Sequence, residues 1–307
     1  MARTLGETIK EIIRKHLEEN NGLIMGQCLS AVGWVNNTIP NTKNIIEYPM
    51  TDVAGAGIAV GAAIVGRRPI LVLRFQDFVF LNSSILVNFA AKRKYIFGKS
   101  APIFIRSLAV EGPGIGPVHS GVFHNIFMHM PGFRVVSPMT PTEYEEIWED
   151  FMKNDDPMYV SEHRRSFNQT EEMNNIIEPD ADITLYGIGA SRFNILEAAE
   201  KLKMNKIKCN IIHLLWLKPL KITEDMLSPL IKTKIGIVVD SGFEICGASQ
   251  SVAYELMKRT KIHKTYVEAL GAEDKSVGAS ERYLNTTPKV EKIINSVKNL
   301  LDIKSKL

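Results

Sequence analysis

Seven short runs dominated by Val, Ile and Leu recur along the chain between amphipathic stretches of helical length: PILVLRF (69–75), APIFIRS (101–107), FRVVSP (133–138), PMYVSEH (157–163), ADITLYGIG (181–189), IKCNIIHLL (207–215) and KIGIVVDSG (234–242). A strand with one wet face alternates apolar and polar residues. A continuous apolar run is a strand buried on both faces, as in a parallel sheet covered by helices. Helical spacing predicts helices over 5–19, 53–65, 83–97, 141–153, 191–203, 247–259 and 288–301. The fold class is therefore α/β, with mainly parallel sheets flanked by helices. At about 150 residues per domain, 307 residues suggest two domains. The polar, acidic stretch NQTEEMNNIIEPDAD (168–182) is the expected boundary, giving domains over 1–175 and 180–307.

Charge and cysteines narrow the function. The formal charge is only +3, and the densest basic run is Lys92-Arg93-Lys94, read as a solvated helix face, so no nucleic-acid partner is expected. Cys28, Cys209 and Cys246 are far apart, and no C-x-x-C occurs, which argues against a zinc knuckle or a redox motif and for a reducing cytoplasm. The first twenty residues form a charged amphipathic stretch rather than a signal peptide, and no apolar run reaches membrane length, so no membrane association is expected.

MTDVAGAGIAVGAA (50–63) holds Gly55, Gly57 and Gly61, with Asp77 twenty residues past Gly57. A dinucleotide fingerprint needs its glycines in a strand-to-helix turn. Here the spacing is one residue too long and Pro49 interrupts the preceding segment. A helix start explains the stretch better. Thr51 or Asp52 can serve as N-cap, and small residues beyond it allow close packing. His119, His124 and His129 recur every five residues. That step turns a helix by about 140°, so they share no helix face and no metal site is expected. His119 follows the Gly/Pro-rich loop EGPGIGPV, a frequent setting for catalytic groups, although a helix-capping or surface role is the commoner one for such a residue. Phe75, Phe78 and Phe80 read as core, and Arg106 as a salt-bridge partner.

Taken together, IIEYPMTDVAGAGIAVGAAIVGRRPI, FQDFVF, NFAAKRKY, FIRS, PVHSGVFHNIFMHMPGFRVVSPMTP and NDDPMYVSEH resemble the beta subunit of 2-oxoacid dehydrogenases, the pyrimidine-binding half of a thiamine-diphosphate component in the transketolase family. ITLYGIGASRFNILEAAEKL, IIHLLWLKPL and VVDSGFEICGASQSV follow the family's C-terminal domain more loosely. The resemblance implies a transketolase-like pyrimidine-binding domain followed by a C-terminal domain. It implies that Asp52 meets the cofactor's aminopyrimidine, that Phe78 stacks on that ring, and that His119, Arg106 and His129 face the substrate. The family acid is Glu, and Asp52 is one methylene shorter. Gln27 stands where the family has an acid in its GE turn, and the loop after it looks shortened.

No GDG motif occurs. The resemblance therefore implies that an alpha subunit carries that motif and the magnesium, in a heterotetramer with two copies of this chain. The substrate would be a 2-oxoacid, with acyl or aldehyde transfer to an acceptor. A split transketolase or acyloin-forming ligase acting on a sugar or aldehyde, and a catalytically degenerate regulatory subunit, are the alternatives.

Overall fold

The computed structural model describes residues 2–30, 33, 35–111, 115–278, 280 and 284–305. Its elements are α1 (Leu5–Glu19), β1 (Ile24–Gly26), β2 (Ile45–Glu47), α2 (Asp52–Ile64), β3 (Ile70–Leu73), α3 (Val79–Ile85), α4 (Arg93–Phe97), β4 (Phe104–Ala109), α5 (His124–His129), β5 (Arg134–Val136), α6 (Pro141–Lys153) and β6 (Met158–His163). The chain continues through β7 (Ile183–Ile188), α7 (Ser191–Met204), β8 (Cys209–Leu214), β9 (Trp216–Lys218), α8 (Glu224–Thr233), β10 (Ile235–Phe243), α9 (Ala248–Arg259), β11 (Tyr266–Ala272) and α10 (Val290–Ser305).

The strands form a seven-stranded sheet, β2-β1-β3-β4-β6-β5-β9, and a four-stranded sheet, β11-β10-β7-β8. Every pairing is parallel except β5 with β9. The seven apolar runs all become strands, buried on both faces as their composition requires. β9 belongs to the second half of the chain yet adds an edge strand to the first sheet. It pairs Lys218 with Val135 and Trp216 with Val136.

Helix ends follow local chemistry. Thr4 and Glu7 form a reciprocal capping box at the start of α1. Thr140 caps α6, whose first residue is Pro141. The single helix expected over 83–97 is instead three pieces. α3 runs into a π-helical turn at Leu86–Ala91, and α4 follows. The Ala91 carbonyl lies where a side chain at Gly132 would sit, 2.3 Å from an added Cβ. Gly132 also has φ of +86°, so glycine is required there twice over.

Successive residues of β4 point to opposite faces. Ile105 joins the core that includes Ala56 and Ala59 of α2, whereas Phe104 and Leu108 join the core under α1 and α6. Arg106 shares the second face. Its Nε and Nη2 donate to the two oxygens of Glu162 at 2.7 and 2.8 Å, and Nη2 also donates to Thr38 Oγ1. The Tyr144 hydroxyl donates to the same carboxylate, and both charged groups are wholly buried. The guanidinium is committed to Glu162 on the sheet face opposite α2, so the salt-bridge reading is the one realised.

Arg106→Ala leaves a buried carboxylate without its cation, which should cost about 3–5 kcal/mol. Urea denaturation checks this. The Arg106→Ala/Glu162→Ala double variant should recover part of the loss, and a single-variant loss below about 1 kcal/mol would mean the pair behaves like a surface ion pair.

Candidate functional site

The N-terminus of α2 faces the carboxyl end of β3. Thr51 occupies the N-cap position, but its hydroxyl donates to the Pro49 carbonyl and caps nothing. Asp52 is the first residue of the helix, where a negative charge meets the positive end of the helix dipole. Gly55, Gly57 and Gly61 lie inside the helix rather than in a turn, so the stretch is not a dinucleotide loop. The Asp52 carboxylate accepts from Asn82 Nδ2 at 3.3 Å. That same Nδ2 donates to the Phe78 carbonyl at 2.9 Å, tying the acid to a neighbouring aromatic.

Asp52, Phe78 and Gln27 come together. With Tyr48, Val72, Leu73 and Arg74 they line a narrow, nearly closed crevice. The Gln27 side chain is buried, and neither its Nε2 nor its Oε1 has a partner. A buried amide left unpaired is costly, which makes it the clearest sign that a polar group belongs in this space. Burial, and then the charge of Asp52, push the Tyr48 phenol up to about 12. The Arg74 guanidinium stands over the Phe78 ring, 5.3 Å from its centre. Tyr48 and Arg74 carry no spacing signal of their own. Only folding brings them to the acid. The loop after Gln27 includes residues 31, 32 and 34, which lie outside the described residues.

His119 meets the same aromatic from another side. Its ring centre is 5.7 Å from that of Phe78 and 4.5 Å from that of Phe75. Its segment is bound to the 3₁₀ turn Gln76–Phe78 that follows β3. The Gly121 amide donates to Asp77 Oδ2, and the Phe123 amide donates to Gln76 Oε1. Burial raises the Asp77 carboxyl, against the opposing pull of the Gly121 amide, its own amide and His119. Asp77 therefore holds the His119 segment. Of the loop before His119, residues 112–114 lie outside the described residues.

The other histidines part company. His124 is buried, with Nδ1 at 3.1 Å from Ser161 Oγ and Nε2 at 3.0 Å from Asp240 Oδ2. His129 is exposed at the far end of α5 and is not among the residues lining the crevice. Phe75 is core as expected, whereas Phe80 is 60% exposed and packs edge-on against Phe123. Among the described residues, no three His, Cys, Asp or Glu side chains converge as metal ligands.

Comparison with known proteins places these residues. Residues 10–169 match the transketolase pyrimidine-binding domain, and residues 174–293 match the transketolase C-terminal domain. The beta subunit of acetoin:2,6-dichlorophenolindophenol oxidoreductase from Cupriavidus necator is 28% identical over 228 residues, 70% of this chain and 67% of that protein. The pyruvate dehydrogenase E1 component subunit beta of Rickettsia felis is 28% identical over 70% of each. Its mitochondrial counterpart from Bos taurus is 28% identical over 285 residues, 85% of this chain and 78% of that one.

Two solved structures share the fold. A split gene transketolase, described as an inactive beta4 tetramer, superimposes with a TM-score of 0.72 at 17% identity, covering 98% of this chain and 99% of that one. A transketolase from Campylobacter jejuni gives 0.75 at 17% identity, covering 97% of this chain and 47% of that one.

The crevice wall has a spectroscopic consequence. A Cβ on Gly55 would stand 2.2 Å from the Tyr48 ring, so Gly55→Ala should push that ring toward water. Its titration should then fall from about 12 toward the unperturbed value near ~10. Ultraviolet titration checks this, with a Tyr48→Phe variant subtracted to isolate one of the eight tyrosines. An unmoved titration would mean that α2, not the ring, gives way.

Proposed function

This chain belongs to the transketolase family through its pyrimidine-binding domain, and from that premise we propose that it is the beta-type subunit of a thiamine-diphosphate-dependent enzyme acting on 2-oxoacids. The enzyme cleaves beside the carbonyl and passes the resulting acyl or aldehyde unit to an acceptor. One observation carries the reading. An acid, an unpaired buried amide and an aromatic ring border a single crevice, and a histidine contacts the far edge of that ring.

The residues fit the pyrimidine end of the cofactor. The Gln27 amide offers both an N–H donor group and a carbonyl acceptor, which suits an aminopyrimidine edge. Phe78 gives a flat apolar surface, and the Asp52 carboxylate can hold a proton at a ring nitrogen. When bound, thiamine diphosphate supplies a nucleophilic carbon for attack on the substrate carbonyl. His119 is the group of this chain placed to exchange a proton with the reacting substrate. The diphosphate and its magnesium belong, in this proposal, to an alpha subunit carrying the GDG motif that this sequence lacks. The assembly is a heterotetramer with two copies of this chain, divided into domains over 1–175 and 180–307. No helix among the described residues is long and apolar enough to cross a membrane. The three unpaired cysteines support a cytoplasmic setting.

Asp52 provides the decisive test. Asn keeps the shape and loses the basicity, so Asp52→Asn should abolish hydrogen–deuterium exchange at the thiazolium carbon in the reconstituted complex, whereas Asp52→Glu should retain it. Asn and Asp are nearly equal at helix starts, so unchanged exchange in the Asn variant would leave Asp52 a purely structural acid.

His119→Ala should lower turnover by about 10²–10⁴-fold, the usual contribution of a general acid or base, while cofactor affinity changes little. Steady-state kinetics with cofactor titration separates the two, and a loss below about threefold in a folded variant would remove His119 from the chemistry.

A further inference from the structure

The segment carrying His119 is held at both ends by the second half of the chain. Beyond it, the His124 ring sits between Ser161 on β6 and Asp240 on β10. Before it, the Glu111 carboxylate accepts from the Thr287 amide and hydroxyl, each at 2.6 Å, and lies 3.3 Å from His163 Nε2. Ser161 and His163 are two apart on β6, so both point to one sheet face. His124, Asp240, His163 and Thr287 are all buried.

Gln76 Nε2 donates to Ser161 Oγ, which in turn meets His124 Nδ1, and an imidazole N–H on the other nitrogen gives the Asp240 carboxylate its donor. The Arg165 amide donates to His163 Nδ1, and His163 Nε2 lies 3.3 Å from Glu111 without completing a hydrogen bond. Burial alone would raise the Glu111 carboxyl, but His163 and the two Thr287 donors hold it below the usual range.

We propose that these two clasps, His124–Asp240 and Glu111–Thr287, are positioning devices through which the C-terminal half sets the place of His119. The His124 clasp acts through residues 120–123, whose Gly121 and Phe123 amides are tied to Asp77 and Gln76. The clasps' effect on turnover rests on the 2-oxoacid reading above, but their effect on the His119 segment does not.

The test uses the full chain with Asp240→Asn and Glu111→Gln, which keep shape and remove charge at opposite ends. Hydrogen exchange of residues 115–123 should accelerate about tenfold in each folded variant, as expected when a buried hydrogen-bonded charge is lost. His124→Gln can still donate to Asp240 and accept from Ser161, so it should stay near wild type, whereas His124→Ala should not. In the reconstituted complex, Asp240→Asn should lower kcat about tenfold while KM and cofactor affinity change less than twofold. Unchanged exchange in the folded Asp240→Asn and Glu111→Gln variants, or equal damage from Gln and Ala at position 124, would overturn the clasps. A wild-type complex without turnover would count against the 2-oxoacid reading alone, because the exchange result is read without any cofactor.

Discussion

The Gln76 amide is the tie on which the site depends. A side-chain amide has two donor and two acceptor positions, and here all four are taken. Nε2 donates to the Ser107 carbonyl and to Ser161 Oγ, and Oε1 accepts from the Tyr159 hydroxyl and the Phe123 amide. Gln76 is fully buried, so each bond acts in a medium where an unmade one would be expensive. It joins the carboxyl ends of β3, β4 and β6 to the segment that carries His119. In a parallel sheet those ends share one edge, which is where open α/β folds bind ligands. The crevice obeys the rule, since Gln27 follows β1, Tyr48 follows β2, and Leu73 and Arg74 lie at the end of β3.

The acid is placed by equally specific means. Asp52 is short, so its reach is set almost entirely by its backbone. Asn82, itself fully buried, bonds the carboxylate and the Phe78 carbonyl with one nitrogen, which fixes the acid relative to the ring. Gly55 lets the Tyr48 ring approach the helix, closing the crevice from the side. A short side chain has fewer rotamers to lose, so a single polar partner suffices to aim it.

Much of this was legible in sequence because it depended on local pattern. The seven apolar runs, the capping box of α1 and the Thr-Pro start of α6 each announce their structure within a few residues. What escaped depended on distant partners. The run IKCNIIHLL (207–215) becomes β8, but nothing in the pattern announces that Trp216–Lys218, starting two residues past the end of β8, forms β9 in the other sheet. β1 and β2 have only three residues each, too few to show a period. The helix expected over 83–97 fits its periodicity, but the turn at Leu86–Ala91 widens where it meets the backbone at Gly132. Of the candidate site, Asp52, Phe78, Gln27 and His119 were expected from the family resemblance. Gln76, Tyr48, Arg74 and His124 acquire their parts only through tertiary contact. Arg106 shows both limits: a cation inside an apolar strand announces a partner, but only the alternation of β4 tells which face that partner occupies.

The surface beside the crevice is apolar. α2 carries Asp52 at its start and exposes Val53, Ile58 and Val65 along its outer side. The helices after the 3₁₀ turn expose Phe80, Phe89, Tyr95, Ile96 and Phe97. An added side chain at Gly57 or Gly61 would meet nothing within 4 Å, so this side of α2 is open to close approach. An apolar area of this kind is normally covered by another protein. The helix that would receive a partner is the helix that positions the acid, so covering its face also fixes the crevice wall. The unpaired Gln27 amide adds a matching cost on the inside, removed only when a polar ligand enters. Partner and ligand each relieve a cost that the separate chain bears, on adjoining sides of one helix, so association and cofactor binding are expected to reinforce each other.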